Sequence, residues 1–287
     1  MLTVRDAMGR EVALERPARR VVSLVPSETE TVAMLRGLDV LVGRTDYCVQ
    51  PALTIDRVPT VGGTKDARIP DILALSPDLV LCNQEENTPR IVEALERAGV
   101  RVHVSFPKSV DEARSLVLDV AVLLGVDVEE SPAIRAMDRA LDEARRLRAS
   151  RAPVRAFCPI WMDPLMTIHG ETFISDAMDL AGAFNVFNDR PRRYPLAADL
   201  GLRAPIEAHE LEGRDTRYPR VTLDEVRARA PALVLLPDEP HAFTERDAAV
   251  FRGLEGVRVK FISGRDLCWY SPRMGEGILA VAEAIAS

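Results

Sequence analysis

Two acidic loops are the first candidates for chemistry in this sequence. Glu85 and Glu86 follow one apolar run, and Asp238 and Glu239 follow another. Carboxylates in such loops accept hydrogen bonds from amide or amine groups, or coordinate a hard cation through oxygen. The alternative is that they cap the helices that follow, because negative charge is favourable at a helix N-terminus. The residue types alone leave both interpretations open.

Each acidic loop ends a segment that occurs twice in the chain. Residues 71–82 and 225–236 share one pattern and lie about half a chain apart. Each copy predicts a short helix that ends before a proline, then a buried strand, then a polar loop. The repeat predicts two similar lobes. Since ligands of open parallel α/β sheets bind at the carboxyl ends of the strands, we expect a ligand between the two halves.

Strands that alternate with helices predict an α/β fold with mainly parallel sheets in two Rossmann-like lobes. The first strand is predicted over residues 20–25, followed by a helix with Ser27 as N-cap and Glu30 completing a capping box. Residues 263–274 are predicted to form a loop before the terminal helix.

A long helix is predicted between the lobes. Residues 129–152 contain almost no helix breaker after Pro132, and about 18 helical residues reach ~27 Å. We therefore expect an N-terminal lobe at 1–128, a connecting backbone helix at 129–152 and a C-terminal lobe at 153–287. A helical connector predicts a stiff join. The Arg-Tyr-Pro triplet at 193–195 recurs at 217–219, which predicts a surface insertion at about 196–219.

Composition excludes several classes of function. A net charge of −7 without a basic stripe argues against a nucleic-acid surface. No apolar run approaches the ~20 residues that span a bilayer. The four cysteines form no CxxC pair, which argues against zinc and favours small buried side chains. The absence of GxSxG, HExxH and phosphate-loop motifs indicates a protein that is not an enzyme.

Short motifs across nearly the whole chain resemble the substrate-binding proteins of ABC importers for cobalamin and iron–siderophores. The similarity is strongest to the branch called cobalamin-binding or helical backbone metal receptor proteins. The motifs are RVVSLVPSETE at 20–30, VGGTK at 61–65, ILALSPDLVL at 72–81, NQEEN at 83–87, CPIWMDP at 158–164, LPDEP at 236–240 and the Trp-Tyr pair at 269–270.

The resemblance implies a class III periplasmic-binding-protein-like fold, with a corrinoid or other metal chelate held between the lobes and no catalysis. It also implies docking on an ABC permease through one acid per lobe. The second acid falls at Asp224; in the first lobe the expected glutamate falls at Pro70, so Asp71 is the candidate. We expect a monomer with no cofactor, no metal site of its own, no nucleic-acid partner and no membrane insertion.

The resemblance also indicates which residues contact the ligand. Tyr47 and Tyr218 fall where vitamin B12 binders of this family place aromatic rings, whereas Val61 and Asn83 replace tryptophans. Trp161, Trp269 and Tyr270 follow strands and would compensate, or else they fill the lobe interiors. Lys65 and Arg217 are candidate anion contacts, with Arg192 and Arg193 as further possibilities. The full set is Tyr47, Lys65, Asn83, Glu85, Glu86, Trp161, Arg217, Tyr218, Asp238, Glu239, Trp269 and Tyr270.

Two other functions remain open from the sequence. The family implies an extracytoplasmic location, but the first residues carry charges where a signal peptide has its apolar stretch. If Met1 is the native start, we expect a cytoplasmic binding or sensing protein of the same fold, for a small anionic or metal-chelate ligand. A chelatase-like enzyme is the third reading, because a fold does not determine a function.

Overall fold

The computed structural model describes residues 1–287, except for the side chain of Ala208. The chain forms two compact units. Unit 1 consists of Met1–Pro107, Asp111–Asp138 and Trp269–Arg273. Unit 2 consists of Lys108–Val110, Arg139–Cys268 and Met274–Ser287. The predicted α/β fold with parallel sheets is confirmed, since each unit contains a four-stranded parallel sheet.

Unit 1 is built around a parallel sheet whose strand order is β4-β3-β5-β6, and a β1–β2 hairpin accompanies it. Helices and apolar side chains cover both faces of the sheet. The strands are β1 Leu2–Arg5, β2 Glu11–Leu14, β3 Val21–Ser23, β4 Leu41–Arg44, β5 Leu79–Asn83 and β6 Val102–Ser105. The helices are α1 Pro26–Arg36, α2 Ile69–Ala74, α3 Pro89–Arg97 and α4 Val110–Leu124. The helix α5 Pro132–Ser150 begins in unit 1 and ends in unit 2. Short 3₁₀ turns occupy Leu38–Val40 and Ile55–Arg57.

Unit 2 repeats the pattern, with strand order β10-β7-β11-β12 and a separate β8–β9 hairpin. Its core contains the fully buried rings of Phe157, Phe187 and Phe251. The strands are β7 Val154–Phe157, β8 Pro159–Met162, β9 Leu165–Thr167, β10 Ala183–Asn185, β11 Leu233–Pro237 and β12 Arg258–Ile262. The helices are α6 Phe173–Leu180, α7 Leu196–Asp199, α8 Leu223–Arg229, α9 Glu245–Arg252, α10 Gly264–Cys268 and α11 Met274–Ala286, and a 3₁₀ turn occupies Ala208–Leu211.

The two copies of the repeated segment fold alike, as predicted. Each forms a short helix and then an interior strand, α2–β5 in unit 1 and α8–β11 in unit 2. The residue before the proline has a left-handed φ of 46° in both copies, at Ser76 and Ala230. A residue that precedes proline is driven out of the right-handed helical region, so this position ends the helix in both units.

The predicted long helix is present as α5, and its apolar stripe is buried as expected. Ile134, Met137 and Leu141 are at most 2% exposed. Residues up to Asp138 belong to unit 1 and residues from Arg139 belong to unit 2.

Two local predictions are wrong. Ser27 is not the N-cap of α1; Val25 is, without a side-chain cap, because Pro26 takes the first helical turn. Proline suits that position since it lacks the N–H that would go unpaired there. The predicted loop over 263–274 contains α10, whose first N–H, from Gly264, donates to Asp238 Oδ1 at 2.5 Å. A partner so distant along the chain was not visible in the local sequence.

A buried ion pair anchors the segment that was predicted as an insertion. Arg190 and Asp199 are at most 2% exposed and lie 2.9 Å apart. The Asp199 carboxylate also accepts hydrogen bonds from the backbone N–H groups of Arg193 and Arg220. The Asp199 carboxylate therefore holds both ends of the predicted insertion at about 196–219.

Replacing Asp199 with Ala is expected to destabilise the fold by about 3–5 kcal/mol, because it breaks a buried ion pair and leaves two backbone N–H groups without their acceptor. Urea unfolding measures the change. The matched control is Asp224→Ala, which removes an exposed i,i+3 partner of Arg227 and should change stability little. Equal losses for the two variants would contradict this account of the anchor.

Candidate functional site

The loop after β5 carries two of the candidate acids on a buried asparagine. Asn83 is 1% exposed, and its side-chain oxygen accepts hydrogen bonds from the backbone N–H groups of Glu85 (2.7 Å) and Glu86 (3.3 Å). Its amide nitrogen donates to the Ser105 hydroxyl at 3.1 Å. The Asn83 side chain therefore positions the loop backbone that carries the two acids. Neither acid caps α3, whose N-cap is Thr88.

A second asparagine joins three loops at this edge of the sheet, and it was missed from the sequence. Asn87 is 5% exposed, and its side-chain oxygen accepts from the Asn83 N–H at 2.8 Å. Its amide donates to the carbonyl oxygens of Thr64 (2.8 Å) and Leu24 (3.3 Å). The loops after β3 and β5 and the glycine turn near Lys65 are thereby held together. The signal was present in the NQEEN motif, of which Asn83 and the two acids, but not Asn87, were predicted as ligand contacts.

Tyr47 is the exposed aromatic ring of unit 1. Its side chain is 64% exposed, and its ring lies against the glycine turn. A Cβ on Gly63 would sit 3.4 Å from Tyr47 Cε2 and 2.2 Å from Asp66 Oδ1, and Gly62 has φ +102°. Glycine is therefore required for this close approach. Lys65, which is also exposed, follows two residues later.

A buried arginine shapes the loop that presents Tyr47, and no sequence signal identified it. Arg44 is 7% exposed, and its guanidinium donates to the carbonyl oxygens of Ile55 (3.2 Å), Val58 (3.1 Å) and Cys48 (3.2 Å). It also pairs with Asp56 at 3.3 Å. Because the Arg44 guanidinium is bonded to the loop backbone, the loop holds its conformation without a ligand.

A protonated carboxyl group lies beneath the same edge. Glu28 is fully buried, and burial raises its pKa to about 8, partly opposed by a short hydrogen bond from the Ser105 hydroxyl. Its second oxygen, Oε2, has no hydrogen-bond partner among the described residues. At neutral pH the group is therefore mainly neutral.

The segment Trp269–Arg273 brings Tyr270 to these acids within unit 1. Burial raises the pKa of Tyr270 well above its usual value, and the charges of Glu28, Glu86 and Glu85 act in the same direction. Ser271 donates to Glu30 at 2.6 Å and so ties the segment to α1. Trp269 is only 6% exposed, which fits the alternative that it fills the interior.

Glu28→Gln tests the buried carboxyl. Its folded-state pKa is raised from 4.5 to about 8, so between these values the unfolded chain has lost a proton that the folded protein retains. The wild type therefore loses up to ~1.4 kcal/mol of stability per pH unit as the pH rises through this window. Glu28→Gln should gain stability relative to the wild type from pH 5 to 8, then level off.

Denaturant unfolding at a series of pH values measures that difference, and Glu93→Gln, on the exposed surface of α3, is the control. A difference between Glu28→Gln and wild type that does not vary with pH would show that Glu28 is not protonated in the folded state.

In unit 2, Trp161 is an exposed aromatic ring, and Phe261 in the edge strand β12 is exposed to a similar extent. Trp161 lies at the end of β8, is 44% exposed and donates its Nε1–H to the Asp163 carbonyl at 2.9 Å. The indole contacts the ring of His241 with centroids 5.1 Å apart, and His241 contacts Phe243 edge-on at 4.7 Å. The His241 ring thus supports the tryptophan.

The two Arg-Tyr-Pro copies lie in different surroundings. Residues 217–221, here called the outer segment, run antiparallel beside β9, with His169 N–H donating to the Arg217 carbonyl at 2.7 Å. The Arg217 guanidinium makes two bonds to Asp215 at 2.9 and 2.7 Å and lies 5.4 Å from the Tyr218 ring centre. Tyr194 instead sits near the guanidinium groups of Arg192 (4.6 Å) and Arg214 (5.1 Å).

The acids after β11 meet the loop after β12. Asp238 accepts from the first residue of α10, which is the capping role considered above, although the helix is not the next one in the chain. A Cβ on Gly264 would come within 2.6 Å of Glu239 Cβ, so the two loops touch. Glu239 is half-buried.

The two docking candidates occupy equivalent places in the repeat. Asp71 lies in the first turn of α2 and pairs with Arg68, whereas Asp224 lies in the first turn of α8 and pairs with Arg227, both at 2.5 Å. Both acids are exposed.

In the part of the chain that the structure describes, no group of three or more His, Cys, Asp or Glu side chains is placed to hold a metal ion. His103 is buried, and burial lowers its pKa to about 4. Cys48, Cys82 and Cys158 are buried, as predicted. Among the described helices, none has the length and apolar character needed to cross a membrane.

Two four-stranded parallel sheets with loops at their strand ends form an α/β architecture, and the sequence comparison identifies the family. The chain belongs to the periplasmic binding protein family, whose model matches residues 21–238. This family consists of substrate-binding proteins.

The chain is similar in sequence to vitamin B12-binding proteins. The vitamin B12-binding protein of Vibrio cholerae serotype O1 (strain M66-2) is 30% identical over 182 residues, and that of Yersinia pestis (strain Pestoides F) is 31% identical over the same length. These matches cover 62% of this chain and only 64% and 63% of the relatives.

Two solved structures share the fold. The periplasmic vitamin B12-binding protein BtuF of Vibrio cholerae superposes with a TM-score of 0.71 at 22% identity, covering 94% of this chain and 97% of that one. The periplasmic heme-binding protein BhuT, in complex with two hemes, gives 0.70 at 21% identity, covering 94% and 100%. At this identity the likeness shows the fold alone.

Proposed function

We propose that this protein binds a corrinoid or another metal chelate and delivers it to an ABC importer. The observation that carries the proposal is an exposed aromatic ring on a rigid support at the strand-end loops of each unit. Tyr47 lies on the glycine turn in unit 1, and Trp161 lies against His241 in unit 2. Flat, conjugated ligands gain affinity from such rings. The relatives are vitamin B12-binding proteins, which supports the same ligand class.

The remaining candidates supply polar contacts in this proposal. Half-buried acids accept hydrogen bonds from amide groups, and Lys65 offers a charge near Tyr47. Asn83 acts by positioning the acids, since its side chain is already bonded. The proposed ligand contacts are Tyr47, Lys65, Glu85, Glu86, Trp161, Arg217, Tyr218, Asp238, Glu239 and Tyr270.

Delivery is proposed to use the exposed acids at equivalent helix starts, Asp71 and Asp224. The family supports an extracytoplasmic location for a protein with this role. We propose that it acts as a monomer without catalysis, with two lobes connected by α5.

Calorimetry with cyanocobalamin, cobinamide, hemin and ferric citrate tests the proposal. At least one of these is expected to bind with 1:1 stoichiometry. Failure of the folded protein to bind any of them would remove the chelate hypothesis.

Tyr47→Ala should weaken binding of the ligand so found by about 1–3 kcal/mol, because a stacked ring is lost. The matched control is Leu53→Ala in the same loop, a residue that is 96% exposed and not among the proposed contacts. The dissociation constants of both variants are compared with that of the wild type. An unchanged affinity for Tyr47→Ala would place this ring outside the site.

A further inference from the structure

The β8–β9 hairpin and the outer segment form three adjacent antiparallel strands in unit 2, with one face on the core. Met162, Leu165 and Val221 pack into the hydrophobic core. Alternate residues of a strand point to opposite faces. The other face therefore carries Trp161, Met166 and Arg220.

Those three residues form a row across the strands. Trp161 is paired with Met166, and Met166 is paired with Arg220. Directly paired residues share a face and lie next to each other. Since neighbouring strands are about 4.8 Å apart, the backbones at Trp161 and Arg220 are separated by about 10 Å, with a thioether between them.

Arg220 and Arg192 are the arginines of this region whose side chains include a buried nitrogen without a hydrogen-bond partner among the described residues. The backbone N–H of Arg220 is fixed by Asp199 at 2.7 Å. Of its side-chain nitrogens, however, Nε and Nη1 are both buried and have no hydrogen-bond partner among the residues that the structure describes, whereas Arg192 has only Nε in that state. By contrast, Arg217 is paired with Asp215, and Arg190 with Asp199 and Glu225. A buried donor without a partner is costly, which indicates a partner outside the chain for this half-buried side chain.

We infer that Arg220 recognises a carboxylate at the edge of a flat conjugated ligand whose face contacts Trp161. A guanidinium suits a carboxylate because two parallel N–H groups match its two oxygens. The backbones that carry the indole, thioether and guanidinium span about 10 Å, so the row fits an extended ligand with an acidic group better than a small anion. The inference deepens the proposed function: it favours chelates that carry peripheral carboxylates over corrinoids that carry amides.

The main test compares hemin, which has carboxylates, with cyanocobalamin, whose corrin carries amides, by equilibrium titration. Arg220→Gln is expected to weaken hemin binding about 10- to 100-fold, as for the loss of a charge-assisted hydrogen bond. Cyanocobalamin binding should change less than about twofold. Arg220→Lys should restore part of the hemin affinity, and thermal unfolding establishes that each variant is folded.

The matched control is Arg203→Gln, which removes the same charge from an exposed position in the predicted insertion at about 196–219. It should leave the affinities for hemin and cyanocobalamin unchanged. If Arg220→Gln weakens hemin and cyanocobalamin equally, or weakens neither, the inference is overturned while the proposed function stands.

A second experiment does not depend on chelate binding. The indole N–H signal of Trp161, assigned with Trp161→Phe, is followed by NMR during titration with 2-naphthoate and with the neutral 2-naphthamide. A saturable shift with naphthoate alone, absent in Arg220→Gln, supports the subsite even if no chelate binds and the proposed function fails. Equal responses to the two probes, or none, would refute it.

Discussion

The need to satisfy polar backbone groups at the ends of parallel strands governs this structure. Where β5 ends, Asn83 and Asn87 accept and donate hydrogen bonds that the loop backbone cannot make by itself. Where β10 ends, Asn185 donates to the Ile168 carbonyl and accepts from the Phe187 N–H. Buried amides of this kind fix the loops, since an unpaired buried polar group is expensive.

Fixed loops explain how exposed aromatic rings can serve for binding. Tyr47 and Trp161 are large apolar groups in contact with water, a placement that contributes little to folding. Each rests on a rigid neighbour, the glycine turn or the His241 ring. A ring already held in place loses little conformational entropy when a ligand arrives, so more of the contact energy appears as affinity.

The fold was largely predictable because its signals are local. The repeated helix–proline–strand segment, the buried stripe of α5 and the alternation of strands and helices follow from periodicity and proline positions. The prediction of Ser27 as N-cap was wrong because the capping-box pattern competed with the preference of proline for the first helical turn, and Pro26 occupies that turn. The helix α10 was missed since its first N–H is bonded to Asp238, 26 residues away along the chain.

The site was predictable only in part, for a related reason. Exposed aromatics and acids after strands have a sequence signature, whereas supporting residues are recognised by distant partners. Arg44 holds a loop through backbone carbonyl groups, which every residue type carries and which leave no signal in the sequence. The buried Arg220 nitrogens without a partner can be recognised only from the three-dimensional structure. Glu28 lies in the first turn of α1, where acidic residues are common, and the sequence carries no signal of its complete burial.

The most direct measurement of the central claim is a fluorescence titration, because the chain contains only two tryptophans and Trp269 is buried. If Trp161 forms a wall of the binding site, hemin or cyanocobalamin should quench its emission in a saturable manner with one ligand per chain, and Trp161→Phe should abolish that component. Quenching that rises linearly without saturation, or that persists unchanged in Trp161→Phe, would contradict the account.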